Sequence, residues 1–183
     1  MDYIEFVHTD KSLQKNLKRE QFQSIDMNVI RHTIAANHFS GIATVYIKNK
    51  MCFKICVTEG KLNGQFIKYE EFTPKTLYGS ATGVIAGWTQ PVLIANYRVD
   101  LLDGPLTIYS SDGTKQYIFN YNMGILDGIQ KHYAAYSKCE HLYSKGNHVK
   151  STKISKSWLW SDDSNEFDSH LQMVKQHHRN LKL

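Results

Sequence analysis

The sequence lacks the features that mark membrane proteins, secreted proteins and disulfide-linked domains. No apolar run among its 183 residues reaches the roughly 18–20 residues that a membrane-spanning helix needs. Residues 1–6 lack the basic start and apolar stretch of a signal peptide. The cysteines Cys52, Cys56 and Cys139 are an odd number, which disfavours a disulfide framework. These absences predict an intracellular protein, cytoplasmic or, for a viral source, in the virion, with no transmembrane segment.

Arginine and proline are also scarce. The net charge of +5 rests on 18 lysines and only 4 arginines. This mixture suits weak attraction to anionic partners better than recognition of phosphates or bases by planar arginine side chains. Only 3 prolines accompany plentiful Lys, Asn, Ile and Tyr, a composition typical of AT-rich genomes such as those of some large viruses, protists and low-GC bacteria.

Motifs that carry catalysis, metal binding or cofactor binding are missing as well. The sequence has no Gly-x-Ser-x-Gly elbow, no Gly-Lys-Ser/Thr phosphate loop, no Cys-x2-Cys and no His-Glu-x2-His. On a strand, Cys52 and Cys56 would lie roughly 13 Å apart, too far to share one ion. Lys138 precedes Cys139, but no base is placed to activate the thiol. We therefore expect a non-enzymatic protein with no catalytic residues, metal or cofactor.

Against these absences stands one repeated pattern, a glycine followed five residues later by an aromatic ring. The glycines are 23, 19, 21 and 24 residues apart, and a period in the low twenties marks an array of small supersecondary units. Such an array is usually a surface for other molecules rather than a catalytic pocket. The signature residues are Gly41 and Tyr46, Gly64 and Tyr69, Gly83 and Trp88, Gly104 and Tyr109, and Gly128 and Tyr133.

Each unit is predicted to be a strand, a tight turn and a second strand. Three units place Asn or Asp directly before the glycine, and these dipeptides favour hairpin turns. They are Leu62-Asn63-Gly64, Leu102-Asp103-Gly104 and Leu126-Asp127-Gly128. The preceding segments 51–57, 91–97 and 116–121 are rich in β-branched and aromatic residues, as strands are. Side by side, the hairpins would form one meandering antiparallel sheet, in which the ring of each unit packs over the bare glycine of its neighbour.

The Gly-x4-Tyr spacing, the Leu-Asp-Gly before the strand and the period of the repeat resemble the MORN repeat family, most closely its bacterial and giant-virus variant. The match covers about residues 38–145. It is good at Gly64, Gly104 and Gly128 and degraded at Gly41 and Gly83. In the Gly83 unit, Trp88 replaces the Tyr that ends the other units. The resemblance implies a mostly β fold, a meandering antiparallel β-hairpin array of about five MORN-like units.

The two flanks of the array differ from it. Residues 1–37 are predicted to form an N-terminal cap over the first sheet edge, with short helices beginning at Asp10 and Asp26. Residues 38–145 hold the array. Residues 146–183 are predicted to hold a basic linker, a Trp-Leu-Trp anchor and a C-terminal helix.

The basic linker and its two tryptophans are the candidate partner-binding segment. The tryptophans either pack on the sheet as an anchor or form an exposed contact, since Trp is favoured at interface cores. From Lys131 to Lys156, lysines interleave with tyrosines, a pattern that can track single-stranded nucleic acid by stacking. The repeat itself also accounts for the tyrosines, and lysines on sheet edges discourage aggregation. The candidate residues are Trp158, Trp160, Lys150, Lys153 and Lys156.

Three interpretations of function remain open. The first is a non-enzymatic repeat scaffold or structural protein that mediates protein–protein interaction within a larger assembly. For a large virus, this would be a minor structural component of the capsid or virion. The alternative is a basic module that binds nucleic acid or an anionic membrane. The second alternative, by resemblance to bacterial members of the family, is an accessory (immunity) protein of a toxin–antitoxin system.

Overall fold

The computed structural model describes residues 1–9, 18–72, 88–134 and 137–155. In these ranges the protein is mostly β, with one antiparallel sheet of thirteen strands and one helix, α1 (Met27–Ala36). The strands are β1 (Asp2–His8), β2 (Lys18–Phe22), β3 (Gly41–Ile47), β4 (Lys50–Thr58), β5 (Lys61–Phe72), β6 (Trp88–Arg98), β7 (Leu101–Leu102), β8 (Gly104–Tyr109), β9 (Lys115–Asn122), β10 (Ile125–Leu126), β11 (Gly128–Tyr133), β12 (Ser137–Ser144) and β13 (Asn147–Ser155).

The sheet meanders, as predicted, with one departure at its N-terminal end. Its order is β13-β12-β11-β9-β8-β6-β5-β4-β3-β1-β2, while β7 pairs with β6 and β10 with β9. Strand β1 pairs with both β2 and β3, so the chain crosses back before the meander begins. The N-terminal region therefore extends the sheet by two strands, where the sequence predicted a helical cap over its edge. At the other end, β13 lies in the stretch predicted to be a linker.

The tight turns lie four residues earlier than the sequence predicted. Two-residue turns with positive φ at both positions join β4 to β5, β6 to β7, β9 to β10 and β12 to β13, which is the geometry of type I′ hairpins. Their residues are Glu59-Gly60, Val99-Asp100, Met123-Gly124 and Lys145-Gly146. In the Asn-Gly and Asp-Gly pairs of the repeat, only the glycine has a positive φ. Placing the turn at those pairs was therefore wrong.

The Leu-Asx-Gly motif instead forms a bulge that bends the strand. Val57 pairs with Leu62 and Ile55 with Phe66, so β5 has two more residues than β4 over this stretch. The same two-residue excess separates β7 from β8 and β10 from β11. Glycine is needed at the bend because φ there lies between 88° and 105°.

The unit predicted at Gly83 is not matched by the described strands. Trp88 and the segment 91–97 were assigned to successive strands, but both lie in β6. Gly64 lies in β5 and Gly104 in β8. Between them, the described residues form one long strand, β6, and the two-residue strand β7. Gly83 and the Trp88 side chain lie outside the described residues, as do the Asp10 helix, the C-terminal helix, Trp158 and Trp160.

Helix α1 begins where the sequence predicted a helix and covers one face of the sheet. Asp26 is the N-cap residue, and its carboxylate accepts the Val29 N–H at 2.8 Å. Ile30 and Ile34, four residues apart on one helical face, are buried in the core. Gly60 allows the helix to approach closely, since a Cβ there would lie 3.2 Å from the Ala35 Cα.

The aromatic core differs from the predicted ring-on-glycine packing. A Cβ built on Gly64, Gly104 or Gly128 meets the Cβ of a neighbouring Cys or Asn, not a ring. The signature residues Tyr46, Tyr69, Tyr109 and Tyr133 are half-buried. Apart from Phe39, which lies between α1 and β3, the rings in the core belong to strand positions that alternate onto the inner face: Phe6, Phe66, Tyr97, Tyr117, Phe119, Tyr121 and Tyr143.

Candidate interaction surface

Equivalent hydrogen bonds join three hairpin turns to the unit before each of them. In three consecutive turns, the second turn residue donates its backbone N–H to the carbonyl of the leucine in the preceding Leu-Asx-Gly motif. The bonds run from Asp100 to Leu62 (2.9 Å), from Gly124 to Leu102 (2.7 Å) and from Gly146 to Leu126 (2.8 Å). The repeat is thus a recurring set of contacts as well as a recurring sequence motif.

The acidic residue of the motif contributes a second contact between units. Asp103 accepts the backbone N–H of Met123 at 3.2 Å, and Asp127 accepts that of Lys145 at the same distance. At the corresponding position, Asn63 bonds within its own hairpin, to the Thr58 hydroxyl at 3.3 Å. The turn that follows Asn63 is held through Asp100, whose carboxylate accepts the Leu62 N–H at 2.7 Å.

Apolar side chains project from successive turns of this ladder. Val99, Met123 and Ile125 are 50%, 45% and 51% exposed, and we name them the apolar turn row. Ile125 lies against the next turn, because a Cβ on Gly146 would be 3.2 Å from its Cγ2 atom. Since the turns are hydrogen-bonded in series, the row is displayed on a rigid support. Exposed apolar groups on neighbouring turns are candidates for an interaction site.

Val99 is strained as well as exposed. Its φ is +47°, in the left-handed region that β-branched residues rarely occupy. The other described two-residue turns with positive φ at both positions begin with Lys, Glu or Met and place Asn or Gly second, whereas Val99 is followed by Asp100. Because Val99 is strained and leaves half of its side chain exposed, it is a candidate contact residue.

The structure describes part of the predicted partner-binding segment. Lys150 is exposed on β13, and the backbone of Lys153 lies opposite Cys139 in the same strand. Lys156, Trp158 and Trp160 lie outside the described residues.

Several described residues of the basic stretch are engaged with protein groups. Lys138 forms a salt bridge of 2.6 Å with Glu140 and lies 5.8 Å from the centre of the Tyr133 ring. The hydrogen bond from Lys138 lowers the pKa of the Glu140 carboxyl, and the charge of Lys131 adds to the effect. Tyr143 is buried, with its ring centre 5.3 Å from that of His148. These residues do not present the row of exposed rings that stacks on single-stranded nucleic acid.

A cleft between α1 and the sheet is a feature that the sequence did not reveal. Its volume is about 340 Å³, and we name it the α1 cleft. The walls are largely apolar, and Arg31 and Asp100 supply polar groups. Its lining residues come from α1, β4, β5 and the turns after β4 and β6, which only the tertiary fold brings together. No short-range sequence pattern could have identified it.

Among the described residues, no three His, Cys, Asp or Glu side chains are grouped closely enough to hold a metal ion. Within the same ranges, no helix has both the length and the apolar composition required to cross a bilayer. Comparison with protein-family models, curated proteins and solved structures finds no match to this chain.

Proposed function

We propose that this protein is a non-enzymatic β-hairpin repeat scaffold that binds a partner protein through the apolar turn row. The observation that carries the proposal is Val99, which is both half exposed and held at a positive φ. A left-handed backbone costs an ordinary residue about 1–2 kcal/mol, and Asn or Gly would avoid most of that cost. A partner that buries the Val99 side chain would offset it.

The ladder of turn hydrogen bonds supports the same function. Binding costs less free energy when the contact groups are already fixed in position. Met123 and Ile125 are held by bonds from their own turn to Asp103 and Leu102. The row therefore needs little ordering when a partner docks, as expected of a scaffold.

Affinity capture from the native source tests the proposal, using the variant Val99→Asn with Met123→Asn. Asn keeps the turn favourable but removes the apolar contact, so we expect recovery of the specific partner to fall about tenfold or more. Val149→Asn is the matched control, because Val149 is 56% exposed on β13 and lies outside the row. Unchanged recovery with the double variant, or an equal loss with the control, would overturn the proposal.

The thermal stability of the variants separates lost binding from lost folding. Relief of strain at Val99 should raise the stability of Val99→Asn by about 1 kcal/mol. A variant that is more stable yet recovers less partner identifies the side chain as a binding group. If Val99→Asn instead lowers the melting temperature, Val99 is a packing residue and the argument from strain fails.

The alternative of a basic nucleic-acid or membrane module has weaker support. Lys131 and Lys138 flank Glu140, which compensates part of their charge. The exposed lysines Lys145 and Lys150 of the last hairpin keep this alternative testable. Binding through them would weaken steeply with salt, because each phosphate contact releases counterions.

A further inference from the structure

We propose that a second copy of this chain docks on the apolar turn row in antiparallel orientation, forming a two-fold symmetric dimer. The proposal rests on the proposed function, because it names the partner of that same surface. Two observations carry it. The apolar turns lie between a turn with a negative charge and a turn with a positive charge, and the turns follow one another at a regular interval along the sheet.

Four hairpin turns lie at one end of the strands, and we name them the turn edge: Glu59-Gly60, Val99-Asp100, Met123-Gly124 and Lys145-Gly146. The strands that lead into them are β4, β6, β9 and β12, and each is two places from the next in the sheet order. Because neighbouring strands lie about 4.8 Å apart, successive turns are roughly 10 Å apart and the edge is roughly 30 Å long. Its midpoint lies between the two apolar turns.

The first residues of the turns change from acidic through apolar to basic along the edge. In spatial order they are Glu59, Val99, Met123 and Lys145. Glu59 and Lys145 are exposed, and among the described residues neither takes part in a salt bridge. Opposite charges are therefore displayed at the two ends, with the apolar side chains between them.

The residues that follow the turns have the same arrangement of an apolar middle and polar ends. In spatial order they are Lys61, Leu101, Ile125 and Asn147. Leu101 packs against the next turn as Ile125 does, since a Cβ on Gly124 would lie 3.5 Å from its Cδ2 atom. An apolar centre surrounded by polar groups is the usual composition of a protein–protein interface.

A two-fold axis at the midpoint makes the turn edge complementary to itself. The apolar middle of one copy then faces that of the other, and each Glu59 faces Lys145 of the other copy. Lys61 faces the uncharged Asn147, so no like charges oppose each other at the ends. In the parallel orientation, Glu59 would face Glu59 and Lys145 would face Lys145. Repulsion between these like charges disfavours that arrangement.

The size of the edge predicts a weak dimer. A contact roughly 30 Å long and two side chains wide lies at the low end of specific interfaces, below about 1,200 Å² in total. The dimer therefore forms in proportion to protein concentration. Docking buries Val99 of both copies, so the strain of its positive φ is offset twice in each dimer.

Sedimentation equilibrium of charge-swap variants tests the proposal. Glu59→Lys and Lys145→Glu preserve the turns, because both residue types already occupy the first turn position, with φ of 51° and 49°. Either variant alone would place like charges at both ends of its dimer, so the dissociation constant should rise about tenfold or more. An equimolar mixture of the two variants again pairs opposite charges at both ends. It should form a heterodimer about as tightly as the wild-type protein dimerises.

Lys150→Glu is the matched control, because it makes the same charge change as Lys145→Glu at an exposed position of β13, outside the turn edge. It should leave the dissociation constant unchanged. A wild-type protein that stays monomeric from about 10 to 500 µM, the range in which small interfaces dissociate, would overturn the proposal. So would a mixture that associates no better than the single variants, or an equal loss with Lys150→Glu.

The variant Val99→Asn with Met123→Asn separates this proposal from the proposed function. It should abolish the dimer by removing the apolar middle of the turn edge. If the wild-type protein is monomeric but recovery of a partner still depends on these two side chains, only the dimer is overturned. If the wild-type protein is monomeric and recovery does not depend on them, the proposed function is overturned as well.

Discussion

The two ends of the sheet differ in what covers the inner face. At the N-terminal end, α1 lies over the sheet, and the strand residues beneath are fully buried and apolar, among them Ala43, Val45 and Ile55. At the C-terminal end, β11, β12 and β13 place Gln130, His141 and Ser151 opposite one another on the same face. Within the described residues, the inner face is thus apolar beneath α1 and carries polar side chains in β11, β12 and β13.

One repeated position shows the change from unit to unit. The residue two places after the bulge glycine is Phe66, then Leu106, then Gln130, and all three are buried. The Gln130 amide accepts the Asn120 N–H at 2.6 Å and donates to the Asn120 carbonyl at 3.3 Å and the Gly128 carbonyl at 3.2 Å. A polar side chain is tolerated there because it satisfies backbone groups at the bulge.

The largest loss of stability should come from disrupting the packing of α1 on the sheet at the N-terminal end. Ile34→Ala removes buried methyl groups between α1 and the sheet and leaves a cavity, so the free energy of unfolding should fall by about 2–4 kcal/mol. Val149→Ala at the exposed C-terminal edge should change it by less than about 0.5 kcal/mol. Urea denaturation of both variants measures the contrast. Similar losses at the two sites would mean that α1 is not the main cover.

Replacing the buried amide at the other end should have a smaller effect. Gln130→Leu leaves the N–H and C=O of Asn120 without the Gln130 side chain, which should lower the free energy of unfolding by about 1–3 kcal/mol. Gln130→Glu is a useful companion, since it retains the acceptor and loses the donor. If Gln130→Leu instead stabilises the fold, burial of an apolar side chain matters more at this position than hydrogen bonds to the Asn120 backbone. That result would contradict the explanation given for Gln130.

Replacing the glycines of the bulges should give the smallest differences in stability between units. Gly128→Ala places a side chain at φ +88°, 3.9 Å from the Asn120 Cβ, and should cost about 1–2 kcal/mol from backbone strain. Gly64→Ala adds a contact of 3.0 Å with the Cys56 Cβ and should cost more. Thermal denaturation of the two variants checks the order, and a larger loss at Gly128 would contradict it.

Local patterns in the sequence identified several elements correctly. The segments 104–109 and 128–133, each from the glycine to the tyrosine of a unit, are the strands β8 and β11. Asp26 correctly marked the start of α1, because capping depends on neighbouring residues alone. In these cases the physical cause of the structure lies within a few residues of the signal.

The features that the sequence did not predict depend on tertiary contacts or on a choice between two possible turn pairs four residues apart. Val99 and Asp100 form a type I′ turn with no glycine, so the Asp103-Gly104 pair was mistaken for the turn. The pairing of β1 with β3 joins segments about 40 residues apart and has no local signal. The α1 cleft also brings Arg31 together with Asp100, which lies on a distant turn.

Amide hydrogen exchange at the turn residues tests the central claim most directly. Three successive hairpin turns are hydrogen-bonded to the preceding unit through the N–H groups of Asp100, Gly124 and Gly146. We predict that these three amides exchange as slowly as those of the neighbouring strands, although they lie in turns. Exchange at the rate of an unstructured peptide at these positions would contradict the claim that the repeat forms one continuous ladder.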